Sequence, residues 1–398
     1  MLERSSPSTW LMLAVSMLGQ VAGTVFVNGA PFLIPYLHLE RGLSLVEAGT
    51  IAASPIAGAM VSLIGWGYVV DRIGERASMT AGLVVVTAAG AGAALTTSLL
   101  ALGVWFFVGG VGAASANSAS GRVVVGWFGP RGRGTAMGIR QTALPLGVGV
   151  AALLVPNLVE SRGLVTTLWV ITGICAAVTA LSVLLIVDPP RPTRAEAADL
   201  RHLENPYARD TRLWRIHLAS ALLVVPQFTV WTFMLVWLID DQGWSTFAAS
   251  SLVAGTQVLG AAGRIGAGWW SDRVGSRLGP MRIVAAAAAA VMLALGLLSG
   301  TPLAVALIII ATAVTVADNG LAFTSVAEIG GPYWSGRAMG VQNTGQYLAS
   351  ALVPPLVGAM VAGRGYGFAF AAVAVFPLLA VPLVPVRAER LAHRATKV

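Results

Sequence analysis

Arg140, Arg264 and Asp318 carry charge in stretches that are otherwise largely apolar: "GIRQTALPLG" (138–147), "AAGRIGAG" (261–268) and "TVADNGLAF" (315–323). A guanidinium presents five N–H donors in a planar fork, so two of them can bracket a carboxylate or another oxyanion. A lone carboxyl among apolar neighbours can take up and release a proton; beside an arginine it can instead stay charged as a fixed counter-ion. Arg122 and Glu328 interrupt apolar runs in the same way, each nearer to a hydrophilic break. Charges of this kind are costly in hydrocarbon and persist where they face a cavity or a partner.

The elements that must hold these residues follow from the background they interrupt. Hydrophobic residues make up 56% of the 398-residue chain and charged ones 11%, less than half of the roughly 25% typical of a soluble domain. That balance fits helices that cross a bilayer, each of which needs about 20 mostly apolar residues. Twelve apolar segments can be marked off, at 9–37, 46–70, 78–98, 100–127, 134–158, 165–187, 213–239, 247–271, 282–299, 301–327, 337–361 and 366–386. Helix is expected in all of them, because a span in lipid must bond its own backbone. The first is too long for the core of a leader peptide and is expected to be a retained helix. The 46 glycines and 20 prolines suit membrane helices, where small residues let backbones approach. One break is long. Residues 188–212 hold Asp188, Arg191, Arg194, Glu196, Asp199 and further charges, with four prolines. The expected organisation is an N-terminal set of six spans (1–187), a linker (188–212) and a C-terminal set of six with a tail (213–398).

Lys and Arg orient the spans. With a cytoplasmic N-terminus, Arg41, Arg162 and Arg364 fall outside, and Arg122, Arg140 and Arg264 lie within spans. The other 19 of the 25 basic residues fall on the cytoplasmic side. They include Arg131, Arg133, Arg282, Arg337, the linker arginines, and Arg387, Arg390, Arg394 and Lys397 of the tail. Both termini and the linker are therefore expected in the cytoplasm. The net charge of +8 is spread over short breaks rather than one patch, which argues against a nucleic-acid partner.

Two of the breaks repeat each other. G-x-x-x-D-R-x-G-x-R begins at Gly67 and again at Gly268, 201 residues on. "RGTAMGIRQT" (133–142) and "GRAMGVQNT" (336–344) align at 202, pairing Gly134 with Gly336 and Gly138 with Gly340. Two motifs at nearly one offset mean a duplicated unit of six spans. At the same offset Asn319 on the tenth span matches Asn117 on the fourth, whereas Asp318 matches Ala116 and has no acidic twin.

Twelve spans, a long central break and this motif after the second and eighth spans resemble the major facilitator superfamily, over the whole chain. The resemblance implies an all-α membrane protein of twelve transmembrane helices in two pseudo-symmetric six-helix bundles, with a solute site near mid-membrane and alternating access. It also implies that the repeated motif latches a cytoplasmic gate. Carried onto this chain, the gate comprises Asp71, Arg72, Arg76, Asp272, Arg273 and Arg277, with Arg122 and Glu328 as further gate or interface residues. Asp71 and Asp272 could each face a helix N-terminus, whose partial positive charge favours an anion. The plainer account is that the motif only sets topology.

In that family the fifth and eighth helices are neighbours, which implies that Arg140 and Arg264 could hold one anion between them. At 1.5 Å per residue they stand roughly 9 and 12 Å from the cytoplasmic ends of their spans. The plainer account is that each braces the gate by pairing locally. Arg264-x-x-x-Gly268 is similar to monocarboxylate- and oxalate-type carriers. "GIRQTALPLG" is similar to bacterial carriers grouped with cyanate, nitrate/nitrite or carboxylate transporters, though the nitrate carriers' own glycine-rich signature is not evident. Drug/proton exporters are the rival within the superfamily. Their fifth-helix motif is not intact here, where Ala151, Ala152, Val155 and Pro156 stand, and Phe106 replaces the arginine four residues before Gly110.

Other polar and aromatic positions outline a mixed cavity: Asn28, Asn117, Gln141, Gln227, Trp231, Thr232, Gln257, Asn319, Asn343, Gln346 and Tyr347. For each alone, ordinary hydrogen bonding between helices is the competing account. Enzyme chemistry has no foothold. There is no G-x-x-x-x-G-K-[ST] phosphate loop and Lys397 is the only lysine. The four histidines have no metal-ligand spacing, and no G-x-S-x-G nucleophile is present. The expected function is secondary active transport of a small anionic organic solute across the cell membrane, with Asp318 the candidate for proton coupling. The alternative is a proton-driven exporter of drugs or other small molecules. Expected partners are the solute, the bilayer and protons, with no cofactor and a working monomer.

Overall fold

The computed structural model describes residues 7–200, 202–209 and 211–389. Arg201 and Asp210 of the linker and Arg390, Arg394 and Lys397 of the tail lie outside the described residues. No strand occurs among the described residues. The first copy of the repeat holds α1 (Pro7–Gly29), a 3-10 turn (Ala30–Leu33), α2 (Ile34–Leu39), α3 (Leu45–Ile73), α4 (Glu75–Leu95), α5 (Leu99–Trp127), α6 (Arg133–Arg140) and α7 (Ala143–Leu185). The linker carries two short helices, α8 (Arg194–Asp199) and α9 (Pro206–Arg209). The second copy holds α10 (Arg212–Asp240), α11 (Thr246–Val274), α12 (Leu278–Leu297), α13 (Leu303–Val314), α14 (Asp318–Val373) and α15 (Val375–Leu383).

Eight stretches among the described residues are long and apolar enough to cross a membrane. Two of them, Arg133–Leu185 with 53 residues and Leu303–Glu389 with 87, far exceed the roughly 20 residues of one crossing. Glycines in the left-handed region interrupt them: Gly163 (φ 78°) in α7, and Gly331 (φ 64°) and Gly365 (φ 80°) in α14. α11 is not among the eight, because its serines, Gln257 and Arg264 dilute its apolar content. The backbone repeats at the sequence's own offsets. Gly42 and Gly243, and Gly74 and Gly275, are left-handed pairs 201 residues apart, and Gly163 and Gly365 are 202 apart.

Burial departs from that of a soluble protein at its extremes. Phe247 is 84% exposed and Leu100 81%, while Ser16, Ser115, Ser118, Ser120 and Ser220 are wholly buried. Lipid-facing surface keeps the large apolar side chains, and the small polar ones go where backbones meet. α3 and α5 meet through Gly58 and Gly110; a methyl at either would strike the partner's main chain at Phe107 or Pro55.

Two expected spans are broken rather than continuous. The fifth breaks at Gln141–Thr142, because Pro145 has no N–H to donate to the Gln141 carbonyl one turn back. The tenth breaks at Thr315–Ala317. There the Ala317 and Asn319 amides donate to the Val314 and Val316 carbonyls, three residues back, at 3.2 and 3.4 Å, a tightened turn in place of the helical ladder. Arg140 ends one of the helices so made and Asp318 begins the other.

The described residues group into two compact units that cut across the sequence copies. Unit 1 contains the residues through Gly129, Thr142–Glu204 and Gly330–Thr344; unit 2 contains Pro130–Gln141, Asn205–Ile329 and the residues from Gly345 on. Each unit thus includes the second-motif segment of the opposite copy. Unit 1 has an aliphatic core around Phe26 and Phe106, whose rings meet edge-on with centroids 5.8 Å apart. Unit 2 is built around Trp237 and Phe370 at 5.9 Å.

Candidate functional site

Inside unit 2, α6, α11 and α14 converge on Gly138. A Cβ there would collide with the main chain of Arg264 and Ile265, and Gly320 packs on its other side. Glycine is what admits the close approach, and it gathers the three charged residues. Arg140 lies two residues after Gly138, Arg264 faces it, and Asp318 lies two residues before Gly320. All three are buried: Arg140 is 1% exposed, Arg264 3% and Asp318 1%.

Their surroundings are aromatic and only partly satisfied. The Arg140 guanidinium stands 5.6 Å from the Phe323 ring centroid and that of Arg264 5.8 Å from Trp231. Such stacking stabilises a cation without neutralising it. Arg140 also donates to the Gln141 side chain, and Tyr347 is close enough to interact with it electrostatically. Arg264 and Asp318 act on each other electrostatically. Even so, Arg264 Nε and Asp318 Oδ2 are both buried without a hydrogen-bond partner. A buried donor and a buried acceptor left open in this way are unusual in a native interior.

Beside them, Asn319 donates to Gln227 at 2.8 Å and accepts from Gln346 at 3.0 Å, and Gln346 also reaches Ser220 at 2.8 Å. Asn319 is therefore occupied by its neighbours. Gln257 bonds weakly to the Val253 carbonyl of its own helix at 3.4 Å. Of the expected binding residues, Arg140, Gln141, Trp231, Gln257, Arg264, Asn319 and Tyr347 lie in unit 2, as does Asp318. Asn28, Asn117 and Asn343 lie in unit 1. There Asn117 donates to Asn343 at 3.4 Å, and Asn28 bonds to Thr24 of its own helix.

Of the residues expected at the gate, Asp71, Arg122, Asp272, Arg277 and Glu328 fall into two clusters. In unit 1, Asp71 accepts from the Gly336 amide at 2.8 Å, the Arg337 amide at 3.0 Å and Nε at 3.1 Å, and Arg122 Nη1 at 2.7 Å. Arg122 also donates to Glu75 at 2.8 Å, and Arg191 from the linker reaches the same carboxylate at 2.7 Å. In unit 2, Asp272 accepts from the Gly134 and Thr135 amides at 3.0 and 2.8 Å, from the Thr135 hydroxyl at 2.7 Å and from Arg277 at 2.6 Å. Arg277 also reaches Glu328 at 3.4 Å, which Arg133 meets at 3.6 Å. Both aspartates thus receive backbone donors at the start of a helical segment, as the charge argument expects. Glycine faces glycine in each: Gly67 against Gly336, and Gly268 against Gly134.

Arg122 and Glu328 belong to different clusters. Arg72 and Arg273 stay outside both, stacked on Tyr68 and Trp269 at 4.4 and 4.0 Å. Arg76 binds the Val183 carbonyl, and its own amide is held by Asp188. Sequence reasoning passed over Glu75, wholly buried, and treated Arg191 and Arg337 only as charges that set orientation. The signal for Glu75 was an acid between the two motif residues Gly74 and Arg76, where the second copy has Ser276.

Long apolar helices with exposed apolar side chains and buried charged ones, among the described residues, are the build of a multi-pass membrane protein. The sequence profile of the Major Facilitator Superfamily matches residues 10–354. The chain belongs to that superfamily, and it is a multi-pass protein of the bacterial cell membrane rather than an enzyme. It is 48% identical, over 95% of its length and 85% of the relative's, to the uncharacterized MFS-type transporter Rv2994 of Mycobacterium tuberculosis. The probable nitrate/nitrite transporter NarK2 of the same species is 25% identical over 60% of each chain. The cis,cis-muconate transport protein of Acinetobacter baylyi is 23% identical over 64% of this chain and 65% of its own. Among solved structures, the E. coli fucose:proton symporter FucP superposes with a TM-score of 0.74, at 16% identity, over 95% of this chain and 98% of that one.

Proposed function

We propose that this protein carries a small, singly charged anion by alternating access, with Arg140 and Arg264 as its binding groups and Asp318 as the group that couples a proton. The observation that carries the reading is the convergence of these three buried charges, with a donor on Arg264 and an acceptor on Asp318 left open. Two arginines against one carboxylate leave one positive charge. A buried site favours near-neutrality, so a monoanion fits. Nitrate and hexuronate, named for distant relatives, carry one negative charge each and support the class; muconate, a dicarboxylate, supports only an anion.

The same reading takes the chain across the membrane twelve times, with both termini and the linker cytoplasmic. It supplies the count by dividing the two long stretches at Gly163, Gly331 and Gly365 and adding α11. The Asp71 and Asp272 clusters are then the cytoplasmic latch, and the two sequence copies the bundles that rock. The carrier works as a monomer.

The test is thermal unfolding of the purified protein against carboxylates, inorganic anions, sugars, amino acids and lipophilic cations. A ligand at 100 times its Kd stabilises by about 2.7 kcal/mol. Small monoanions should raise the Tm of the wild type and leave Arg140→Ala unchanged. Stabilisation by lipophilic cations alone, persisting in Arg140→Ala, would sink the anion reading in favour of a drug exporter. For the proton, Asp318→Asn should remove the pH dependence of uptake into proteoliposomes; a wild-type rate that does not vary with pH would exclude coupling.

A further inference from the structure

Away from that interior, unit 2 holds a cavity of about 740 Å³ beside the Asp272 cluster. Arg131, Arg133, Arg212 and Arg277 line it together with Asp272, Glu328 and Glu389. Most of the acids are engaged. Asp272 holds the Gly134 and Thr135 amides and Arg277. Glu389 accepts from the amides of Arg277 and Leu278 and from the Ser276 hydroxyl. The remaining carboxylate, Glu328, lies 3.6 Å from Arg133 and 3.4 Å from Arg277, the loosest contacts of the cluster. Arg131 is exposed and forms no hydrogen bond or ion pair with the described residues. A further donor stands on the cavity wall: Ser325, only 3% exposed, has a hydroxyl without a partner.

We propose that this cavity binds a singly charged phosphodiester, the headgroup of an anionic lipid. Arg131 brings one positive charge with no partner among the described residues, which a phosphodiester neutralises and a doubly charged phosphomonoester would exceed. Its two free oxygens suit guanidinium forks on one side and a hydroxyl donor on the other. The lipid source follows from the neighbouring surface. Trp269, Val274 and Ile283, on either side of the turn between α11 and α12, are 50, 53 and 56% exposed, so apolar surface for acyl chains adjoins the cavity. Basic pockets beside membrane helices recognise headgroups in this way. A bound headgroup would tie Arg131, just before α6, and Arg133, its first residue, to Ser325 on α14, and so hold Gly134 and Thr135 on Asp272.

The test is thermal unfolding of the full chain in nanodiscs of phosphatidylcholine with or without phosphatidylglycerol, and in detergent with glycerophosphoglycerol or inorganic phosphate. Phosphatidylglycerol should raise the Tm above that in pure phosphatidylcholine. Arg131→Gln should weaken the half-saturating lipid fraction by about tenfold, and Ser325→Ala by a few fold. Glu328→Gln, which adds net positive charge, should tighten it. Arg131 is exposed and supports no internal contact, so loss of the effect in Arg131→Gln is not a folding failure. Stabilisation by glycerophosphoglycerol as strong as by the lipid keeps the phosphodiester site and moves its source to the cytosol. Equal Tm in both nanodiscs with no response to the soluble diester, a response to inorganic phosphate alone, or an Arg131→Gln protein with the full lipid response would each overturn the proposal.

Discussion

Asp71 and Asp272 stand at the same place in the two copies of one motif, 201 residues apart, and accept from equivalent amides: Gly336 and Arg337 for the first, Gly134 and Thr135 for the second. Their counter-charges come from different places. Asp71 takes Arg122 from α5, and Arg122 is shared with Glu75, which Arg191 of the linker also holds. Asp272 takes Arg277 from its own motif, five residues on, and the residue equivalent to Glu75 is Ser276. The backbone half of the contact is duplicated and the side-chain half is not. A glycine-to-glycine approach with a carboxylate on two amides tolerates no variation, since a Cβ on either glycine of each pair would strike main chain. A neutralising cation needs only to arrive from somewhere.

The comparison predicts unequal damage. Arg122→Ala removes two charge-assisted bonds, to the buried Asp71 and the buried Glu75, at about 1.5–3 kcal/mol each, while Arg337 stays on Asp71 and Arg191 on Glu75. Arg277→Ala leaves Asp272 with three other donors and leaves Glu328 part-exposed, so about 1–3 kcal/mol is expected. Thermal unfolding of the full chain compares the two: Arg122→Ala should lower the Tm more than Arg277→Ala, and equal falls would mean that the two networks carry the same load.

The glycine half should behave alike in both copies. Gly67→Ala and Gly268→Ala each drive a methyl into the facing glycine carbonyl, an overpacking cost of about 1–3 kcal/mol. The expected result is two similar falls in Tm; a fall in one alone would show that the backbone contact is not shared after all.

The sequence made some of this legible and hid the rest for physical reasons. Helix, the repeat and the aspartate on a helix start were readable because they depend on period, offset and residue type. Arg140, Arg264 and Asp318 stood out because charge in an apolar run is conspicuous. The partners were hidden. That Arg122 serves Asp71 while Glu328 serves Arg277 depends on which helices pack side by side, and spacing along the chain does not carry that. Asn319 looked as exposed to a solute as Asp318, yet Gln227 and Gln346 occupy it. The breaks at Gln141–Thr142 and Thr315–Ala317 differ in the same way. Pro145 announced the first, whereas the second is a tightened turn that no proline marks.

The smallest effects should come from the arginines that both motifs keep and neither cluster uses. Arg72 stacks on Tyr68 at 4.4 Å and Arg273 on Trp269 at 4.0 Å, each one residue past its aspartate. An exposed cation–π contact is worth about 0.5–1 kcal/mol. Arg72→Ala and Arg273→Ala should therefore shift the Tm by a degree or two at most, far less than Arg122→Ala. The two differ in their company. Arg337 also lies over the Tyr68 ring, at 5.5 Å, so Tyr68 keeps a cation when Arg72 is lost, while Trp269 keeps none. Arg273→Ala is accordingly the more damaging of the pair, and Tyr68→Leu more damaging than Arg72→Ala because it removes the platform for both cations. If Arg72→Ala matched Tyr68→Leu, Arg337 would contribute nothing through the ring, and its part in the latch would rest on the Asp71 bond alone.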